Sequence, residues 1–554
     1  MRIRRPSIGS LPLSILVVVY VLGLLNTTFW QKGLEIFAGH ELKLAVLAAA
    51  LLALAMALAT ALSFKYLFKP VAAFFIVMAA VSSYFVDRFG LIIDGDMIGN
   101  VVATNIGEAE HFATADLIRY CALYAFVPVA LLFWARVRHQ PILTKLKHNS
   151  VIIAGCLAAA LVLVGLNYRT YASTFRERHD FLATQNPGAP IAGAIHFIKR
   201  ALRETDIPLV AIGQDAHKGP LLAAEPKPVL TVIVVGETAR AQNFSLNGYG
   251  RDTNPELAKR AIVSFTDATS CGTATAVSVP CMFSMYPRAD YTSRKGRATE
   301  NLLDVLSHAG VKVMWWDNNT GSKGVAKRVA YEHLSDSADK RYCAGGECTD
   351  GILVERLRAE LPRITQDTVI VIHQIGSHGP AYYLRYPKAF ENFTPVCKTV
   401  LFADCTKEEI AAAYDNTIAY TDAVLARFID MLDAQKNLST ALIYVSDHGE
   451  SLGEDGFYLH GFPYMIAPEN QKKVPFIIWT SDRFAGQMAL DTACLHAERH
   501  NPVSHDNLFH SVLGAMDVGT SVYRADQDIF SGCRRHGAIS DLHGPRPASD
   551  SGRG

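Results

Sequence analysis

VLTVIVVGETAR, residues 229–240, decides the fold of this chain. Its first seven residues are apolar or β-branched and carry no charge, a run too short for a core helix and suited to a strand buried on both faces. Gly236 closes it, and a carboxylate, Glu237, follows at once. The pattern recurs downstream in VKVMWW (311–316), VIVIHQIG (369–376), ALIYVSD (441–447) and VPFIIWT (474–480). Helical spacing fills Glu300 to His308 and Glu408 to Ala434. Strands alternating with helices predict an α/β domain with a mainly parallel central sheet. Ligand sites in such sheets lie beyond the carboxyl ends of strands, which is where Glu237, His378, Asp447 and His448 fall.

Chemistry follows from those residue types. Two carboxylates, imidazoles and a hydroxyl would suit a zinc ion that activates a nucleophile. The hydroxyl is Thr275 in CGTATAVSVPC (271–281), at a point where a helix could open and aim its free N–H groups at a phosphate. Taken alone, Thr275 suits a helix cap better than a nucleophile, and Asp447–His448 an ordinary capped turn as well as a metal site; the surrounding constellation reverses the first preference. Glu450 stands two residues beyond His448, placed to orient a ligand or meet an ammonium group. His378 in GSHGP and His460 in YLHG are flanked by glycines that let a ligand approach, whereas His373 carries the weakest signal of the histidines.

Upstream the composition changes. Five apolar runs, near Leu11–Phe29, Leu44–Phe64, Val71–Val86, Leu117–Trp134 and Val151–Tyr168, are long enough to cross a bilayer at about 1.5 Å per residue. Arg2, Arg4, Arg5, Lys65, Lys69, Arg136, Arg138, Lys145 and Lys147 lie in alternate connections that contain no acid, which predicts a cytoplasmic N-terminus and places everything after Tyr168 outside. Residues 1–169 therefore read as a transmembrane domain, 170–227 as an interfacial bridging segment and linker, 228–540 as the outer catalytic domain and 541–554 as a disordered tail. Phe175, Phe181, Ile191, Ile195, Phe197 and Ile198 are the bridging residues expected at the membrane surface. A net charge of +1 argues against a nucleic-acid partner, which would call for a basic face. Cys121 and Cys156 fall inside spans, and the other eight cysteines all lie in the outer part, where disulfides form. Proximity pairs Cys271 with Cys281, Cys343 with Cys348 and Cys397 with Cys405, leaving Cys494 and Cys533 for a longer closure.

The long stretches VVGETARAQNFSLNGYGRDTNP, CGTATAVSVPCMFS, WWDNNTGSKG, GSHGPAYYLRYP, YDNTIAYTD and VSDHGESLGE, in that order, resemble the lipid A phosphoethanolamine transferases of Gram-negative envelopes, a family that includes the mobile colistin-resistance enzymes. The resemblance covers nearly the whole chain. It implies an alkaline phosphatase/sulfatase-like periplasmic domain on a five-helix inner-membrane anchor, phosphatidylethanolamine as donor and lipid A as acceptor; separately, the chain is expected to be a monomer among membrane lipids. It places the zinc-bound nucleophile on Thr275, the other zinc ligands on Glu237, Asp447 and His448, and substrate or accessory-metal roles on His378 and His460, with a second zinc possible during turnover. Headgroup contacts map to Thr320 and Lys323, and a membrane-proximal polar row to Asn100, Thr104 and Glu108, spaced four apart as on one helix face. His373 and Glu450 complete the expected substrate set. Rival readings are transfer to a core sugar, glycan or protein, transfer of glycerophosphate, a phosphodiester hydrolase, and a lipid-binding scaffold; a sulfatase proper would need a C-x-P-x-R stretch, which this sequence lacks.

Overall fold

The run at Val229 is a strand because its β-branched residues fill a pleated surface covered on both sides, and all eight residues are buried. Seven strands make the central sheet: β1 (Val229–Gly236), β2 (Ile262–Phe265), β3 (Lys312–Asp317), β4 (Ala330–His333), β5 (Thr368–His373), β6 (Ser439–Ser446) and β7 (Phe476–Thr480), in the order β2-β7-β6-β1-β5-β3-β4. From β6 to β4 every neighbour is parallel. β7 runs antiparallel to β6, and β2 antiparallel to β7, so the sheet is mixed. β2 and β4 escape notice in sequence because they are short edge strands whose positions are not all buried.

Leu303, Leu306, Leu508 and Phe509 pack with β-strand residues Ile233, Val371 and Ile443 in the principal core. Each such side chain contributes about 1.5–3 kcal/mol on burial. Lys407–Asp433 is a 27-residue helix opened by a capping box between Thr406 and Glu409. Four disulfides join Cys271–Cys281, Cys343–Cys348, Cys397–Cys405 and Cys494–Cys533.

The computed structural model describes residues 5–93, 95–103, 114–177, 179–203, 208–223, 228–335, 337, 339–344 and 347–535. Thr104, Glu108 and the tail 541–554 lie outside the described residues, as does the side chain of Asn100. Two compact units divide in sequence between Arg200 and Ala201.

In the first unit four described helices are long and apolar enough to cross a membrane: Glu41–Ala61, Phe68–Phe89, Ala115–Trp134 and Ile142–Leu166. The first expected span is instead broken, Ser10–Leu24 bending by 64° into Thr27–Ile36, and it makes a fifth span only if the bent pair counts as one. Asn26 sits at the break. Its amide donates to Val21 O (2.8 Å) and Asn186 O (2.9 Å) and accepts from Asn186 N (2.7 Å), so polar groups freed by the bend are satisfied within protein. Phe68–Phe89 begins before Val71 because Lys69 turns its ammonium onto Phe133 O and Ala135 O. Ile142–Leu166 begins well before Val151, because Lys145 and Asn149 are buried and donate to the carbonyls of Ser63 and Thr60.

The bridging segment is helical, as Tyr168–Glu177, His179–Ala183 and Gly188–Arg203. Phe181 corrects the surface expectation. It is fully buried and stacks on Phe29 at 4.5 Å, since an aromatic ring gains more from packing against helices than from lying at an interface. Ile195 and Ile198 remain exposed.

Candidate metal centre and nucleophile

Sheet register builds the site. β1 and β6 pair with Gly236 opposite Ser446, so Glu237 and the Asp447–His448 pair leave the sheet side by side. Gly236 is required there, because a Cβ would lie 2.6 Å from the Tyr444 hydroxyl. Thr238 next turns through a positive φ of 57°. That turn is held by Tyr414, whose hydroxyl donates to Thr238 O (2.7 Å), and by Asp447 Oδ1, which accepts the Thr238 N–H (3.0 Å).

Glu237, Asp447 and His448 are fully buried, and each offers a ligand atom within 4.8 Å of the others. Asp447 Oδ1 accepts from the backbone of Thr238 and of His448 (2.7 Å), while Oδ2 has no hydrogen-bond partner and lies 3.4 Å from His448 Nε2. His448 donates its Nδ1–H to Gly449 O (2.9 Å), which leaves the Nε2 lone pair facing the carboxylates. Glu237 Oε2 accepts from Asn319 Nδ2 (2.7 Å) and Oε1 accepts from the Thr238 hydroxyl. Thr275 Oγ1 completes the group at 3.2 Å from Glu237 Oε2 and 3.3 Å from His448 Nε2. An orphaned buried carboxylate oxygen among two oxygen donors and one imidazole nitrogen fits a four-coordinate zinc ion.

Electrostatics point the same way. Burial and the neighbouring Glu237 push the Asp447 carboxyl up to about 6. Burial opposes ionisation of Glu237 too, but the imidazoles of His448, His378 and His460 hold it well below the usual carboxylate range. Two carboxylates sharing one dry site cannot both ionise cheaply, and a dication resolves that conflict.

Thr275 occupies the first position of the Thr275–Met282 helix, stapled across its base by Cys271–Cys281. Ser278 donates its hydroxyl to Asp447 O, tying the helix to the end of β6. His505 bridges the same two pieces: its Nδ1 accepts from Cys271 N (3.1 Å) and its Nε2–H donates to Ser446 O (2.9 Å). Burial, with His448 nearby, pushes His505 down to about 4, so the bridge is neutral.

The other expected residues arrange themselves around this group. The ring of His460 lies 4.3 Å from that of His448, and its Nδ1 is 3.4 Å from Glu450 Oε2. His378 lies a further shell out, its ring 6.2 Å from His460. Burial and Glu237 push the Glu450 carboxyl well up. Thr320 and Lys323 are bonded to each other, Lys323 Nζ donating to Thr320 Oγ1 (2.6 Å), next to Asn319. His373 is fully buried and meets the site through Asn319 (3.3 Å), its Nδ1 facing Asp317 Oδ2 at 3.0 Å. Asn319 and His505 are the functional neighbours that sequence reading missed. Asn319 had a usable signal, since it follows β3 and so reaches the same sheet edge as Glu237.

A threonine hydroxyl beside three side chains able to hold a metal, at the carboxyl edge of such a sheet, fits a phosphoryl- or sulfuryl-transfer domain, and residues 230–518 match the Sulfatase family. Residues 51–202 match a second family, described as phosphoethanolamine transferase EptA/EptB. The chain is 38% identical over 544 residues to phosphoethanolamine transferase EptA of Escherichia coli K12, covering 96% of this chain and 98% of that one. It is 36% identical to phosphatidylethanolamine transferase Mcr-1 of Escherichia coli, over 89% of this chain and 94% of the relative. The integral membrane lipooligosaccharide phosphoethanolamine transferase A of Neisseria meningitidis superposes with a TM-score of 0.92 at 34% identity, covering 96% of this chain and all of that one. This chain belongs to the phosphoethanolamine transferase family.

Proposed function

We propose that this protein moves phosphoethanolamine from phosphatidylethanolamine to a phosphate of lipid A in two steps through Thr275. The observation that carries the reading is the Thr275 hydroxyl at 3.2–3.4 Å from Glu237 and His448, beside the unpartnered Asp447 oxygen. Glu237, Thr275, Asp447 and His448 would hold a zinc ion, which would supply a Lewis acid to ease deprotonation of Thr275 and offset charge on the phosphoryl group. Thr275 Oγ attacks the donor phosphorus, the bond to the glycerol oxygen breaks, and diacylglycerol leaves with a proton. Phosphoethanolamine is then esterified to Thr275.

In the second step an oxygen of the acceptor phosphate attacks the same phosphorus, the Thr275 ester bond breaks, and the hydroxyl regains a proton. His460, held well below the ordinary imidazole range by burial and by His448, is a weak base that can take the proton only transiently and return it, with His378 behind it. Lys323 and Thr320 offer donors to phosphoryl oxygens, Glu450 an acceptor to the ammonium group, and His373 acts by positioning Asn319 under Glu237. Asn100, Thr104 and Glu108 are assigned to the donor headgroup.

The protein is a multi-pass inner-membrane enzyme with its catalytic domain in the periplasm. Adding an ammonium to lipid A offsets surface negative charge and lowers the affinity of cationic polymyxins. The test is mass spectrometry of lipid A from a polymyxin-sensitive Gram-negative host expressing the wild type or Thr275→Ala at equal membrane levels. One added phosphoethanolamine with the wild type alone supports the reading. A gain in both removes Thr275 from its role, and a gain in neither redirects the search to other acceptors.

A further inference from the structure

The loop after His460 runs from the metal centre along the nucleophile segment. Gly461 N donates to Thr273 O (2.8 Å), the Thr273 hydroxyl to Phe462 O, and the Tyr464 hydroxyl to Ser270 O (2.9 Å). Ser270 lies only a few residues before Thr275, at most about 18 Å of extended chain. Flat on the Tyr464 ring sits the Arg288 guanidinium, 3.3 Å from the ring centroid, and Lys472 Nζ is 5.6 Å from the same centroid. Lys472 is engaged by Glu469 at 2.6 Å. Arg288 has no such ion pair: its Nε is buried without a hydrogen-bond partner, and among the described residues the carboxylate whose ionisation it favours, Asp506, makes no hydrogen bond to its guanidinium. Asp506, close by, accepts the backbone N–H of Arg288 (2.8 Å) rather than the side chain. The residue after Tyr464 is Met465, 91% exposed.

We propose that Arg288, braced on Tyr464, and Met465 form the acceptor dock, the guanidinium binding a second phosphate of the acceptor and Met465 touching its acyl chains. This deepens the transferase reading and rests on it. A planar guanidinium held by cation–π contact presents its remaining N–H edge in fixed geometry, and that edge matches phosphate oxygens two at a time. Met465 offers a flexible, polarisable surface suited to irregular acyl packing. The donor lipid has no second phosphate, and its ammonium is repelled by Arg288, so the dock selects acceptor over donor.

The experiment measures steady-state transfer by the full-length protein with lipid A bearing two phosphates and with the same lipid bearing one. In the wild type, loss of the second phosphate raises the acceptor KM roughly tenfold, the scale of a charge-assisted hydrogen-bond pair. In Arg288→Gln the two acceptors have equal KM, and Arg288→Lys restores part of the difference. Met465→Ser, at a position too exposed to disturb the core, raises KM for the acylated acceptor about threefold and leaves a deacylated one unmoved. An equal phosphate penalty in wild type and Arg288→Gln, or no penalty in the wild type, overturns the dock. Failure of the wild type to modify either lipid overturns the transferase reading instead.

Discussion

Asn319 shows how a neutral side chain governs a charged site. Its amide holds Glu237 Oε2 (2.7 Å) and is itself anchored to Gln374 O (2.9 Å), so the carboxylate cannot rotate away from Thr275. We expect Asn319→Ala to lower zinc affinity by about ten- to a hundredfold, the usual cost of losing a partner behind a metal ligand. Chelator competition on the purified protein measures it, with stability falling by about 1–3 kcal/mol from the buried groups left unpaired. Thr275→Ala differs in kind. It should leave thermal stability within about 1 kcal/mol, since Thr275 is only partly buried, while cutting transfer by at least about a thousandfold and abolishing the phosphoethanolamine adduct in intact-protein mass spectrometry.

At the scale of elements, the long helix Lys407–Asp433 is fastened to the loop before β2 by Asp422, which accepts from Glu256 N (2.8 Å) and Leu257 N (2.9 Å). Burial pushes this carboxyl up to about 6, from an ordinary value of 3.8. The folded chain therefore binds a proton more tightly than the unfolded chain, and this contribution to stability is fully present below about 4 and lost as pH rises to about 6. Replacing Asp422 with Asn should remove that contribution, on the order of 1–3 kcal/mol, so thermal unfolding at pH 5 and pH 7 should differ less in the variant than in the wild type.

Much of this architecture was legible beforehand. Strands buried on both faces, such as Val229–Gly236 and Ser439–Ser446, announce themselves by unbroken β-branched runs, and the carboxylates after them follow from parallel topology. The direction of β7 did not, because nothing local in VPFIIWT distinguishes an antiparallel neighbour. The bend after Leu24 was hidden for a related reason: Asn26, Thr27 and Thr28 are a short polar break in an apolar run, and the partner of Asn26, Asn186, lies 160 residues away. His505 was illegible for the same cause, since its role exists only once Cys271 and Ser446 have been brought together.

For the whole molecule, the second unit holds every ligand of the candidate zinc site, and its own hydrophobic core surrounds the sheet. An isolated fragment of residues 208–535 should fold and bind one zinc per chain, by elemental analysis, yet lose nearly all transfer to lipid A in vesicles because it no longer shares a membrane with either lipid. The full chain should raise polymyxin tolerance in a sensitive host, and Thr275→Ala should not, at equal expression.

The pairing of Gly236 with Ser446 has a consequence for when the enzyme becomes an enzyme. A separation of 209 residues divides Thr238 from the Asp447 that receives its N–H. No nascent segment contains a ligand set, and none exists until two distant strands have docked outside the cell membrane. If zinc fills this site, as proposed, its loading would follow folding and draw on the metal of the envelope. On that reading, cells starved of envelope zinc would hold folded but inactive copies, and resupply would restore polymyxin tolerance with no new protein made.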